Sequence, residues 1–469
     1  MYMLGKEKSS KISQILASSY YQKWVKYFQG VLRLTRDKRY RTNGKKLLVT
    51  QYGIAKTETQ LWEKLKEGRE LAKKYHDKPN LTDKEERELK GIENHIFIHE
   101  QLIRISKTIC DGIAWRNLNY NQMFLLSAAR GFGYVAIDYK SKDFRGMYIV
   151  AYNISERLGS TVIINDLTRF LRIGDLTDIK DGVPFIHELK EYGKEVKNMF
   201  TLRKVKGKIS RQAVRLLELQ RIALSAEAKV GNQIIGKSVI DLPLQTNLAK
   251  VERLIKRSKK EIIVHEQVES FLTIEVTNFQ EIKSHKGFDI EAIKAKSSRI
   301  RADIVHSNWD SFYSDERGNF MRMFVPYSIF PFTNENCINL MSGNYLVKSM
   351  LSISKLKEFL IQNGWEIEDV DEAALDRQIK KYDITHSDIF SLNNPLYTED
   401  TLSDIGLFTV RKGPFSMSMD TWLYGKLTSE YLTSKCILDI LNFAYERAAK
   451  RQSGDSYFPV FKDESKLWN

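Results

Sequence analysis

The chain has 469 residues, of which 42% are hydrophobic and 28% are charged, a composition typical of a soluble globular protein. At about 150 residues per domain, this length predicts about three domains. The cysteines, Cys110, Cys337 and Cys436, form no C-x-x-C pair, which excludes a disulfide scaffold and a four-cysteine zinc site. No apolar run is long enough to span a membrane, and the N-terminus lacks the apolar core of a signal peptide. We therefore expect a cytoplasmic protein.

The positive charge is concentrated in two windows of the sequence. The chain has a net charge of +15. Residues 1–50 hold 12 Lys or Arg and two acids, and residues 201–260 hold 15 Lys or Arg and four acids. Two basic windows of this kind indicate a polyanionic partner such as nucleic acid. The alternative, which stays open for each window, is a set of solvated helix faces.

The N-terminal region, residues 1–134, is predicted to be mostly helical. Apolar residues recur at helical spacing over 10–35 and 56–76, and a capping box at Thr82–Glu85 begins a helix that runs to about residue 108. A further helix is predicted at 119–130. The aromatic residues Tyr20, Tyr21, Trp24 and Tyr27 in the basic window could stack on bases, although such a stripe also suits a helix core.

The middle region, residues 135–280, changes pattern and predicts a mixed α/β or α+β domain. Helices are predicted at 144–158 and 208–229, and strands at 161–164, 170–173, 183–190, 238–244 and 271–277. The C-terminal region, residues 281–469, predicts a separate mixed α/β region with helices at 353–363, 371–382 and 427–452. We find no catalytic motif in this last region.

Three polar side chains of the middle region are expected to converge: Asp175, Glu188 and Lys190. Glu188 and Lys190 share one face of a strand, and a hairpin turning near Asp181-Gly182 brings Asp175 beside them. Two carboxylates suit a hard cation such as Mg²⁺ or Mn²⁺, which polarises a phosphate and helps to deprotonate water. Lys190 would orient that water and stabilise charge on the phosphate. The alternative is a solvent-facing hairpin with a cross-strand salt bridge.

The arrangement G-D followed by E-x-K, with a helix on either side, resembles the PD-(D/E)XK nuclease superfamily. The resemblance covers residues 145–280. It implies a restriction-endonuclease-like core of class α/β (mixed α+β), in which helices flank a mixed central sheet. It also implies that Asp175 and Glu188 bind the metal and that Lys190 assists the attacking water. A second E-x-K, at Glu195-Val-Lys197, lacks the apolar strand residues around it.

The resemblance suggests further site residues. Some members add an acid from the preceding helix, for which Glu156 is the candidate, and some use a polar residue from the following helix, for which Gln212 and Arg211 are candidates. The chain departs from the classical pattern at Gly174, which replaces the proline of that pattern, a departure that many members share. The absence of Q-x-x-x-Y after the lysine argues against a processive exonuclease.

Basic residues on the predicted helix 208–229 are candidates for phosphate binding. Lys208, Arg211 and Arg215 are three and four residues apart, so they share a helix face. A literal phosphate-loop pattern at 231–238 is set aside, because a helix precedes it and a proline follows it. His95 and His99 have the spacing of two zinc ligands on a helix, but the sequence offers no third ligand.

These observations lead to one main hypothesis, a metal-dependent nuclease that is most simply a DNA endonuclease. The resemblance associates such enzymes with restriction or antiviral defence, and with a second copy or a defence-system partner. Three alternatives stay open: an RNA-directed nuclease or toxin, a nucleic-acid-binding protein with an inactive nuclease-like core, and a structural scaffold.

Overall fold

The computed structural model describes residues 16, 18–118, 120, 136–169, 171, 174–180, 183–189, 227–230, 233–240, 244–279, 302–308, 326–369, 408–419, 421–449 and 456–461. In these parts the chain is mixed helix and strand with small, largely antiparallel sheets, which confirms the predicted class at that level. No helix among these residues is long and apolar enough to cross a membrane.

The N-terminal region is helical, as predicted. It contains α1 (Ser19–Arg36), α2 (Lys38–Arg41), α3 (Gly44–His76) and α4 (Asp83–Asn117). The capping box at the start of α4 is confirmed, with Thr82 accepting from the Glu85 N–H and Glu85 accepting from the Thr82 N–H. Helix α4 extends well past its predicted end, and its residues 101–116 are all buried, so packing on every side stabilises this part of the helix. The predicted helix 119–130 lies outside the described residues, apart from Tyr120.

The next unit is a helix followed by three short antiparallel strands. Its elements are α5 (Lys142–Leu158), β1 (Thr161–Ile164), a 3₁₀ turn (Asn165–Leu167), β2 (Leu176–Lys180) and β3 (Val183–His187). The sheet order is β1-β2-β3. Helix α5 ends at Gly159, whose φ of 65° is left-handed and therefore suits glycine. The predicted strand at 170–173 was wrong at its one described residue, Leu171, which lies in no strand.

The region that follows corrects two predictions. Strands β4 (Glu227–Val230) and β5 (Gln233–Ile240) form a hairpin, and β13 (Ser456–Phe461) pairs in parallel with β5. The helix predicted to reach residue 229 is therefore wrong at its C-terminal end, while residues 208–226 lie outside the described parts. The last three residues of the phosphate-loop pattern, Gly236–Ser238, lie within β5, so they form no strand-to-helix loop.

A four-stranded antiparallel sheet joins the middle and C-terminal regions. Its order is β6-β7-β9-β8, with β6 at Ile263–Glu269, β7 at Leu272–Asn278, β8 at Ile304–Ser307 and β9 at Tyr345–Leu351. Helix α6 (Leu248–Glu261), which the sequence analysis did not predict, packs on β6 and β7. The predicted boundary between residues 280 and 281 falls between β7 and β8, so strands from both sides of it share one sheet.

The remaining elements complete the C-terminal region. They are a 3₁₀ turn (Tyr327–Ile329), α7 (Asn334–Met341), α8 (Ile353–Gln362), β10 (Glu366–Asp369), β11 (Phe408–Lys412), β12 (Phe415–Met419), α9 (Thr421–Thr428) and α10 (Ser434–Ala449). The helix predicted over 427–452 is divided between α9 and α10, with Tyr431 at a φ of 59° between them. The helix predicted at 371–382 lies outside the described residues.

The N-terminal helices pack directly on the C-terminal region. Tyr21 Oη donates to the Ser342 carbonyl at 3.0 Å, and Arg116 donates to the Ser328 carbonyl at 2.7 Å. Both bonds are buried and lie within one continuous hydrophobic core. The N-terminal helices therefore help to build the core that supports the short sheets.

Candidate active site

The hairpin of β2 and β3 brings Asp175 and Glu188 to the same end of the sheet. Leu176 pairs with His187 and Lys180 with Val183, so Asp175 directly precedes one strand and Glu188 directly follows the other. The Asp175 N–H donates to the His187 carbonyl at 2.7 Å, which continues the pairing by one step. Strand β3 is thus shorter than the predicted strand 183–190, and the backbone pairing places Asp175 and Glu188 at the same end of the hairpin.

Gly174 determines the shape of the turn that precedes Asp175. Its φ is 70°, and a Cβ there would lie 2.4 Å from Ile186 Cγ2 and 2.8 Å from the His187 carbonyl oxygen. Proline holds φ near −65°, so it cannot occupy this position. The departure from the family pattern at residue 174 therefore has a local cause, the close approach of the two hairpin strands.

The Asp175 carboxylate is half-buried and close to another carboxylate. Its Oδ2 accepts from the Leu189 N–H at 2.5 Å, which fixes its direction at the end of the hairpin. Burial raises the pKa of Asp175, the Leu189 N–H lowers it, and the nearby charge of Asp166 raises it further. Asp166 lies in the 3₁₀ turn after β1 and was not among the predicted site residues. The end of the hairpin is therefore a place of concentrated negative charge.

A buried ionic network from the N-terminal helices supports the turn that carries Asp166. Glu58 on α3 and Lys107 on α4 are both fully buried and lie 2.9 Å apart. Lys107 Nζ also donates to the Asp166 carbonyl. Nearby, Asp111 on α4 accepts from the backbone N–H of Arg169 at 2.6 Å and pairs with its guanidinium at 2.5 Å. These contacts anchor residues 166–169, just before the site.

The sequence analysis missed this network, although a signal was present. Lys107 and Asp111 are four residues apart in a stretch of α4 that is otherwise rich in isoleucine, so they share one face of a buried helix. Charged residues are almost never fully buried unless they are paired. The signal could not name the partners, because Glu58 and Arg169 are distant in sequence.

The other predicted site residues have different outcomes. Glu156 lies on α5 with its carboxylate exposed and 2.6 Å from Lys45 Nζ, so the structure gives it a partner on α3. The residues that lie outside the described parts of the chain are Lys190, Gln212, Lys208, Arg211 and Arg215. The roles of all these residues stay predictions.

The residues present offer a partial fit to a divalent cation. Among the described residues, no group of three or more His, Cys, Asp or Glu side chains converges as a metal site. Asp175 and Glu188 supply two carboxylates at one end of a hairpin. Mg²⁺ keeps several water ligands and is commonly bound by one or two carboxylates. Asp175 and Glu188 are thus the described residues that would hold Mg²⁺, with substrate and water supplying the other ligands.

The chain shows no match to any protein-family model, curated protein or solved structure with which it was compared. The resemblance to the PD-(D/E)XK superfamily therefore depends on the short motif and on the order of the elements around it.

Proposed function

We propose that this protein is a metal-dependent nuclease that hydrolyses phosphodiester bonds of nucleic acid, with DNA as the first substrate to test. The observation that carries the proposal is the position of Asp175 and Glu188 at the same end of the β2–β3 hairpin. Helix α5 and β1 precede the hairpin, in the order that a restriction-endonuclease-like core uses. Concentrated negative charge in a half-buried position is costly to a fold unless a bound cation offsets it.

The proposed chemistry assigns a role to each residue. Asp175 and Glu188 would hold Mg²⁺ or Mn²⁺, which supplies a polarised phosphate and a more acidic water when bound. The Leu189 N–H keeps the Asp175 carboxylate directed to the end of the hairpin. Lys190, assigned through the resemblance, would orient the attacking water and stabilise charge on the phosphate.

Among the described residues, four bases of α6 and four bases of α1 and α2 differ in their ionic partners, and the difference favours a polyanionic substrate at the N-terminal helices. In α6, the bases that form ion pairs with glutamates are Arg253, Lys256, Arg257 and Lys259. By contrast, Lys23, Lys26 and Arg33 on α1 and Lys38 on α2 are exposed, and no acid among the described residues forms an ion pair with them. Bases without acidic partners are available to phosphates.

The experiment is cleavage of circular plasmid DNA with Mg²⁺ or Mn²⁺, with EDTA as the metal-free control. Asp175→Asn, Glu188→Gln and Lys190→Ala are compared with Glu195→Gln, which alters the second E-x-K of the chain and serves as the matched control. We expect each site variant to lose nicking by more than about 100-fold, since groups that act directly in proton transfer and water activation contribute at this scale. The Glu195→Gln protein should cleave like the wild type.

The possible outcomes separate the competing functions. Cleavage that survives in Asp175→Asn and Glu188→Gln would show that the site lies elsewhere. If no protein cuts DNA, the same panel is tested on single-stranded RNA, and cleavage there would favour the RNA-directed nuclease. Salt-dependent binding without any cleavage would favour a binding protein with an inactive core, because phosphate contacts release counterions whether or not a bond is cut.

A further inference from the structure

Three tyrosines form a surface where α3 and α5 pack side by side. This tyrosine surface consists of Tyr52 on α3 and Tyr148 and Tyr152 on α5. The ring centroids of Tyr52 and Tyr148 are 5.0 Å apart, and Tyr52 is 36% exposed. Burial raises the pKa of Tyr148, and the nearby hydroxyls of Tyr52 and Tyr152 raise it further. The three rings therefore lie close together with part of each ring accessible.

The surroundings of the tyrosine surface combine apolar and basic side chains. Val49 on α3 is 63% exposed and Ile149 on α5 is 59% exposed. Lys45 Nζ lies 5.4 Å from the centroid of the Tyr152 ring. At the other end, Lys140 Nζ lies 5.9 Å from the Tyr139 ring, which makes an edge contact with Tyr52. Both lysines also pair with glutamates, Lys45 with Glu156 at 2.6 Å and Lys140 with Glu63 at 2.8 Å.

Two further bases beside the tyrosine surface form no ion pair with an acid among the described residues. Lys56 on α3 is four residues after Tyr52, Arg145 on α5 is three residues before Tyr148, and both are exposed, so each shares a helix face with a ring of the surface. Exposed apolar groups beside such bases fit a ligand that has both flat apolar faces and negative charge.

The tyrosine surface adjoins the N-terminal basic window. Helix α3 begins at Gly44, where a Cβ would lie 2.3 Å from Ser155 Oγ on α5, so the ends of the two helices are in close contact. Exposed bases lie close to this contact in the sequence, namely Lys38 on α2 and Lys46 on α3.

We propose that the tyrosine surface binds single-stranded nucleic acid, with bases stacked on the tyrosine rings and phosphates held by the lysines around them. The inference rests on the nucleic-acid substrate of the proposed function, but it does not depend on cleavage. Rings stack on unpaired bases of any sequence, whereas the faces of paired bases are hidden inside a duplex. The surface therefore selects a single strand over a duplex.

The test measures binding in EDTA, so that cleavage plays no part. The full-length protein is titrated into fluorescently labelled poly(dT) and, separately, into a labelled DNA duplex, and the anisotropy is followed. The double variant Tyr52→Leu/Tyr148→Leu keeps apolar volume but removes two rings. We expect it to bind poly(dT) at least about tenfold more weakly, since each stacked base contributes roughly 1–3 kcal/mol. Duplex binding should change less than threefold.

Two control variants distinguish stacking from general effects. Tyr52→Phe/Tyr148→Phe keeps both rings and should bind poly(dT) like the wild type. Tyr75→Leu removes a tyrosine from the C-terminal end of α3, where its hydroxyl donates to Glu88 at 2.7 Å, and should also leave binding unchanged. Thermal melts of all variants, followed by circular dichroism, verify that each protein folds.

Several results would overturn the inference. One is equal binding of poly(dT) by the wild type and the Tyr52→Leu/Tyr148→Leu variant. Another is a wild type that binds duplex as tightly as poly(dT), or that binds no oligonucleotide at all, which would favour a protein ligand for this surface. If plasmid cleavage fails but the ring-dependent binding of poly(dT) holds, the inference stands and only the nuclease function falls.

Discussion

Two small sheets of this protein have charged side chains in buried or half-buried positions, but one of them pairs opposite charges and the other has like charges near each other. In the β6-β7-β9-β8 sheet, Glu275 and Lys348 are cross-strand partners, and Lys348 Nζ lies 3.1 Å from the Glu275 carboxylate. In the β1-β2-β3 sheet, the carboxylates of Asp166 and Asp175 lie near each other instead. Opposite charges in register stabilise a sheet, whereas like charges at its end oppose folding and therefore indicate a site.

The largest expected effect concerns the buried charges beneath the first sheet. Lys107→Met leaves the fully buried Glu58 carboxylate without its cation and removes the donor to the Asp166 carbonyl. We expect the free energy of unfolding to fall by about 4 kcal/mol, measured by urea denaturation, because breaking a buried ion pair leaves an uncompensated charge.

A double variant tests whether that loss comes from the charge itself. Glu58→Met/Lys107→Met replaces the whole ion pair by apolar groups, which is often close to neutral for stability. It should recover at least half of the loss seen in Lys107→Met. If the double variant is as unstable as the single one, the hydrogen bond to the Asp166 carbonyl matters more than the charge of Glu58.

The second prediction concerns a histidine of the four-stranded sheet. His306 is buried on β8, and burial lowers its pKa from 6.5 to about 4. Between these values the unfolded chain binds a proton that the folded chain excludes, so stability is complete above pH 6.5 and is lost as the pH falls toward 4. This shift corresponds to about 3 kcal/mol. When the pH falls from 6.5 to 4, we expect the free energy of unfolding of His306→Gln to decrease by about 3 kcal/mol less than that of the wild type.

The measurement is urea denaturation at a series of pH values, and β6 supplies the control. His265 lies in the same sheet but is exposed. His265→Gln should therefore keep the steep pH dependence of the wild type. An equally steep pH dependence in the His306→Gln protein would show that other groups cause it.

Much of the fold follows from local sequence, and the strands that were not predicted have a common cause. Helices α4 and α5 were predicted because their caps, Thr82 with Glu85 and Gly159, act over a few residues. Strands β8 and β9 were not predicted, because they are defined by pairing between segments distant in sequence. The same holds for β13, which pairs with β5 more than 200 residues earlier. Periodicity within a segment carries no information on such partners.

The third prediction concerns the ion pair of the four-stranded sheet, whose role we expect to be structural. Lys348→Met leaves Glu275, whose side chain is 2% exposed, without the cation beside it. We expect a loss of about 2 kcal/mol in urea denaturation, less than for Lys107→Met because Lys348 is partly exposed. Plasmid cleavage under conditions where the variant is folded should be unchanged. Loss of cleavage in a folded Lys348→Met protein would indicate that the four-stranded sheet, and not the β1-β2-β3 sheet, contributes to the active site.

The candidate site shows which of its residues a sequence motif can predict and which it cannot. The spacing of Asp175 and Glu188 around a turn was enough to predict that they lie at the same end of the hairpin, since hairpin register is a local property. Asp166 and the network behind it were not predictable, because Lys107 reaches the site from a helix about 60 residues earlier. The sequence pattern thus names candidate groups for the proposed chemistry, while the groups that hold them in place come from the tertiary fold.

The smallest expected effect is also the most specific for a site. Asp175→Asn removes a negative charge that is half-buried near Asp166, while the amide oxygen can still accept from the Leu189 N–H. We expect this variant to be as stable as the wild type or more stable by up to about 1 kcal/mol, because functional sites often retain unfavourable charge for activity. It should nevertheless lose plasmid cleavage. A clear loss of stability in thermal denaturation would mean that Asp175 is a structural residue like Glu275, and the distinction between the two sheets would no longer hold.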